Sequence, residues 1–108
     1  MKRFKEIEEV KLNINYIKRR IEKSKIEFVK YAETVEQRKG RPSKELVNQY
    51  LTNKLNKLYK TVKGRKNRIV LSFYLSRKYD LKVIIRFEKD MVKIITYYHY
   101  LKKKIEIY

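Results

Sequence analysis

The residues with the greatest chemical reach lie near the end of the chain, at Lys82, Arg86, Lys93, Tyr97 and His99. Metal-free cleavage of RNA needs a group that moves a proton near the 2′-hydroxyl, and cations around the scissile phosphate. Arg86 and Lys93 offer the cations, while Tyr97 and His99 offer a proton carrier or a ring for a base to stack on. These four are the candidate catalytic residues. Lys57, Lys60, Lys63, Arg65, Lys66, Arg68 and Lys82 are the candidate nucleic-acid contacts. The plainer reading of the same residues is a basic surface that binds and catalyses nothing.

Most other chemistry is excluded. The chain has no cysteine and a single histidine, which rules out thiolate and multi-histidine metal sites. Gly40 and Gly64 are the only glycines, too few for a phosphate-cradling loop. Acidic residues are sparse and concentrated in the first third, so no metal and no cofactor is expected. Gly40-Arg41-Pro42 superficially resembles a minor-groove hook, but one copy reads better as a turn between helices.

Charge points to the partner. Thirty Lys and Arg face twelve Asp and Glu, for a net charge of +18 in 108 residues. A compact domain repels itself at that charge, so a polyanion is the expected partner, nucleic acid ahead of an anionic membrane surface. The excess is concentrated in residues 39–79, with twelve basic residues and one acidic. RNA and DNA are not distinguished. Met1–Glu6 has no apolar run behind its charges, and no apolar stretch reaches membrane-spanning length, so a cytoplasmic protein is expected. A Lys- and Glu-rich, cysteine-free composition also fits a thermophile.

The elements that must position these residues are read from periodicity. Ile7, Val10, Ile14, Ile17, Ile21, Ser24, Phe28, Tyr31 and Val35 recur in steps of three and four, which predicts a long helix over 3–38. Its 7–35 seam is suited to a protein partner or self-association. Gly40-Arg41-Pro42 breaks it, and Ser43 caps a second helix over 44–63 that Gly64 stops. Heptad spacing from Ile84 to Tyr108 permits a third helix and an all-α three-helix bundle. Against that, Val92, Ile94, Ile95, Thr96, Tyr97, Tyr98 and Tyr100 are β-branched or aromatic. A hairpin turning at Lys89-Asp90 pairs Phe87 with Val92, Ile85 with Ile94 and Val83 with Thr96 on an apolar face. Its other face sets Arg86 opposite Lys93, Ile84 opposite Ile95 and Lys82 opposite Tyr97. With a strand over Ile69–Ser76, this favours an α+β single domain, 1–108, with two N-terminal helices packed on a β-meander over 69–108.

Tyr31-Ala32, Arg38-Lys39-Gly40, Ser43-Lys44-Glu45-Leu46-Val47, Leu81-Lys82-Val83-Ile84 and Ile95-Thr96-Tyr97 resemble, over about residues 30–100, a small domain family of unknown function. The arrangement is similar to RelE-like ribonuclease toxins. That resemblance implies two helices against an antiparallel sheet and metal-independent RNA cleavage. Tyr31 stands where the family has a histidine. Two functional classes follow: a RelE-like endoribonuclease toxin, or a non-catalytic DNA/RNA-binding protein of architectural, ribosome-associated or viral nucleic-acid-coating type.

Overall fold

The computed structural model describes residues 10–29 and 42–102. Along the chain come β1 (Val10–Lys11), α1 (Ile14–Glu22), β2 (Lys25–Phe28) and α2 (Lys44–Asn53). A 3₁₀ turn (Leu55–Lys57) then leads into β3 (Leu58–Lys63), β4 (Ile69–Tyr74), β5 (Tyr79–Glu88) and β6 (Met91–Leu101). The strands form one six-stranded sheet in the order β1-β3-β4-β5-β6-β2. β3 to β6 are an antiparallel meander; β1 extends it antiparallel to β3, and β2 pairs parallel to β6. The fold is α+β, and the all-α bundle is not supported.

Both helices begin at a side-chain cap. Asn13 Oδ1 accepts from the Tyr16 amide at 3.0 Å, and Ser43 Oγ accepts from the Leu46 amide at 3.0 Å, each satisfying a donor that the first turn leaves open. The helices lie on one side of the sheet. Ile17 and Ile21 of α1 and Val47, Tyr50 and Leu51 of α2 are buried against Leu71, Phe73, Leu81, Val83, Ile85, Val92, Ile94 and Tyr97. An edge-to-face ring pair ties helix to sheet, Tyr50 on Phe73 at 5.6 Å, and a second, Phe28 on Tyr97 at 5.9 Å, joins the neighbouring strands β2 and β6. Among the described residues, no helix is long and apolar enough to cross a membrane.

Four expectations need correction. The helix over 3–38 is interrupted, since residues 10–11 and 25–28 are strands and only Ile14–Glu22 is helical between them. The stripe that suggested a partner seam is used internally: Ile17 and Ile21 are buried, and Phe28 packs against the same core. Ile7, Tyr31 and Val35 lie outside the described residues. The helix over 44–63 ends at Asn53, and its second half is strand β3. Meander and hairpin are present, with the turn at Lys89-Asp90 and pairs Phe87–Val92, Arg86–Lys93 and Ile85–Ile94 as expected. Beyond them a β-bulge at Ile95 advances the register by one, so Ile84 faces Thr96, Val83 faces Tyr97 and Lys82 faces Tyr98. Residues 103–108 of the expected meander lie outside the described residues.

The β3–β4 connection shows how a hairpin forms without glycine at its corner. Lys66 and Asn67 both have positive φ, 54° and 62°, and the Arg68 amide donates to the Arg65 carbonyl at 3.0 Å. That is a type I′ geometry, whose twist matches the flanking strands and which favours Asn-Gly. A lysine there is held where its Cβ crowds the following carbonyl. Replacing the pair by Lys66→Asn with Asn67→Gly should stabilise the fold by about 1 kcal/mol in a denaturant melt.

Candidate nucleic-acid interface

Strand alternation gives the sheet a second face, which none of the described helices covers. Register places Lys60, Ser72, Lys82 and Tyr98 in one row across it, and Tyr74, Asp80 and Tyr100 in the next. Tyr59, the extra residue of a bulge between Leu58 and Lys60, joins the tyrosines. Three of these rings are strongly exposed: Tyr59 by 53%, Tyr100 by 43% and Tyr74 by 41%. Lysines lie over two of them, with Lys102 Nζ 4.3 Å and Lys57 Nζ 5.8 Å from the Tyr74 ring centre and Lys82 Nζ 4.6 Å from that of Tyr100. Asn56, Lys57, Tyr59, Tyr74 and Lys102 bound an open hollow at this end of the face.

Asp80 anchors the cluster from below. It is 2% exposed; its Oδ2 accepts from the Tyr59 hydroxyl, and its Oδ1 lies 3.4 Å from Lys102 Nζ. Tyr59 is half exposed as a residue, but its hydroxyl end meets this buried carboxylate. Loss of water there, and then the Asp80 carboxylate, push its pKa from 10.0 up to about 12. The bond needs the phenolic proton, so the stability it adds is fully present below pH 10 and is lost as pH rises through 12. In an alkaline titration followed by phenolate absorbance, Asp80→Asn should move the late ionisation of Tyr59 back toward the ordinary range.

The opposite end of the face differs. Arg86 Nη2 lies 2.7 Å from Glu88, and Lys93 Nζ lies 2.8 Å from Glu27 and 3.8 Å from Glu88. These cations are neutralised locally. Hydrogen bonding to Glu27 raises the Lys93 pKa above the usual lysine value, so this ammonium keeps its proton near neutrality and is a poor base.

The four candidate catalytic residues are therefore not assembled. The bulge at Ile95 turns Tyr97 into the core, where it is fully buried, instead of onto the face with Arg86 and Lys93. His99 pairs with buried Leu81 on the helix-bearing side, its ring 5.8 Å from that of Tyr79. It lies six positions along β6 from Lys93, about 20 Å in an extended strand. Among the described residues, no three His, Asp or Glu side chains converge in a way that could hold a metal ion.

The candidate binding residues divide into two groups. Lys57, Lys60 and Lys82 lie on the tyrosine end of the face. Lys63, Arg65, Lys66 and Arg68 surround the β3–β4 turn, and none of these four forms an ion pair among the described residues. Sequence reasoning passed over Tyr59, Tyr74, Tyr100 and Lys102. Tyr74 was within reach, because Val70, Ser72 and Tyr74 alternate with the apolar residues of β4. Tyr59 was hidden by the reading of its segment as helix.

Fold and face together define a class: a two-layer α+β domain with helices on one side of its sheet and a basic, tyrosine-bearing surface on the other. Comparison with known proteins found no matching family model, no matching curated protein and no matching solved structure.

Proposed function

We propose that the protein binds single-stranded nucleic acid on the tyrosine-bearing face of its sheet. The observation that carries this reading is the cluster of exposed Tyr59, Tyr74 and Tyr100, with Lys57 and Lys102 over the Tyr74 ring and Lys82 over that of Tyr100. Aromatic rings on a sheet surface stack on bases only when the bases are unpaired, and the adjacent ammonium groups meet the phosphates of the same strand. The net charge of +18 supplies the long-range attraction. RNA cleavage by Arg86, Lys93, Tyr97 and His99 is not part of the proposal, because the Ile95 bulge separates them.

The test is binding of labelled single-stranded RNA and DNA, and of the matching duplexes, by fluorescence anisotropy in EDTA, with the RNA examined afterwards by gel. Single strands should bind more tightly than duplexes and should remain intact. Base stacking on a tyrosine contributes roughly 1–3 kcal/mol, so Tyr74→Ala and Tyr100→Ala should each weaken single-strand binding by about five- to 150-fold. Equal affinity for duplex and single strand, unchanged by both substitutions, would remove the stacking argument. Cut RNA that stays whole with Arg86→Ala would restore the cleavage reading.

A further inference from the structure

A second basic site lies where α1 approaches the β3–β4 hairpin. A hollow of about 300 Å³ opens there, at the lower end of the usual range for small-ligand pockets. Its polar wall is made by Arg20, Lys63, Asn67 and Arg68. Its apolar floor is Leu12, Ile69 and Phe87, all packed against the core on the helix-bearing side. Among the described residues, no carboxylate lines it.

We propose that this hollow seats a phosphoryl group. Three observations converge on an oxyanion. First, three cations and an amide border the same small space, and no acidic side chain among the described residues lines it to offset their mutual repulsion. Second, Arg68 Nε is buried and donates to no acceptor among the described residues, although an arginine keeps its charge and its donors at any physiological pH. An oxygen entering the hollow supplies the missing acceptor. Third, the wall is held in place before any ligand arrives. The Arg20 guanidinium lies on the Phe87 ring at 4.2 Å and donates to the Tyr16 hydroxyl at 3.4 Å, while the type I′ turn fixes Asn67 and Arg68. Guanidinium groups fork onto phosphate oxygens in pairs, which suits a phosphoryl group better than a halide.

The phosphoryl group has two possible sources, the end of a nucleic-acid strand or a small phosphate ester. Lys63 also belongs to the basic surface around the β3–β4 turn, but a phosphate titration engages none of the tyrosines, so the site stands or falls on its own measurement. The full chain, labelled with ¹⁵N, is titrated with inorganic phosphate and, at matched ionic strength, with sodium chloride. Phosphate should give saturable shifts of the Asn67 and Arg68 amides and of the Arg20 and Arg68 Nε–H signals, and chloride should not. Arg68→Gln and Lys63→Gln should each weaken phosphate binding tenfold or more. Arg68→Lys should recover only part of it, because it restores charge without the fork.

Comparison of a 5′-phosphorylated with a 5′-hydroxyl oligonucleotide then separates the sources. Tighter binding of the phosphorylated strand, abolished by Arg68→Gln, assigns the strand end. Equal binding of the two, with saturable phosphate binding retained, assigns a small phosphate ester. Shifts that follow chloride and phosphate alike, or a Lys63→Gln variant that is folded and binds phosphate as the wild type does, overturn the proposal.

Discussion

Single-strand binding should weaken about a thousandfold when salt rises from about 50 to about 200 mM. The estimate follows from the cations available to a strand on the proposed face. Lys57, Lys60, Lys82 and Lys102 border the tyrosines, and Lys63, Arg65 and Lys66 continue the positive surface around the β3–β4 turn. If about six to eight phosphates are neutralised, each releases roughly 0.7 of a counterion from a single strand, which gives a logarithmic slope near −5. Lys102 is partly committed to Asp80, and Lys82 donates to Ser72 Oγ at 2.8 Å, so the middle of that range is a better expectation than its upper end. Removing Lys63, Arg65 and Lys66 together should reduce the slope by about 2 and bring the salt effect below about a hundredfold. The tyrosine substitutions should act differently, lowering affinity at every salt concentration with the slope nearly unchanged, because stacking releases no counterions. An affinity that barely responds to salt is incompatible with an interface built on these lysines.

How much of this was legible in the sequence depends on where the strands are regular. Ser43 as a helix cap, the alternation of β4 and the Lys89-Asp90 turn could all be read, because each is local and obeys a simple period. The errors share one physical cause. A bulge inserts one residue into a strand and converts a two-residue step between buried positions into a three-residue step, which imitates a helix. In β3 the buried residues are Leu58 and Thr61, separated by the bulge at Tyr59, so the apolar pattern of α2 seemed to run on through Val62. In β6 the bulge at Ile95 places Ile94 and Tyr97 three apart on the same side, which both sustained the alternative of a third helix and misdirected Tyr97 and His99. The first segment failed for a different reason. Ile14, Ile17 and Ile21 are helical, but Ile26 and Phe28 owe their inward direction to β2 lying parallel to β6. That pairing joins residues more than sixty positions apart and leaves no local trace. The working face was thus half visible: its basic residues stood out, while the tyrosines beside them depended on register.

Tyr97→Lys should unfold the domain, whereas Tyr100→Lys, three residues further along the same strand, should leave it folded. Tyr97 is fully buried, edge-on to Phe28 at 5.9 Å and opposite Val83. A lysine there loses the ring's packing and leaves an ammonium without a partner among apolar side chains, at a combined cost of about 5 kcal/mol or more. That equals the whole stability of many domains of this size. Tyr100 is 43% exposed on the other face, where a lysine keeps its water. The contrast tests the bulge itself. In a register without it, Tyr97 stands opposite Lys82 on the open face, and a lysine at 97 costs little. Ile94→Lys should be as damaging as Tyr97→Lys, since Ile94 is also fully buried. Lys93→Ala, which breaks surface ion pairs to Glu27 and Glu88, should leave the domain folded with its melt nearly unchanged. Circular dichroism and denaturant melts separate these outcomes. A folded Tyr97→Lys variant beside an unfolded Ile94→Lys variant would show that the register continues unshifted past Ile95. Tyr97 would then return to the face shared by Arg86 and Lys93, and with it the geometric ground for testing those residues in RNA cleavage.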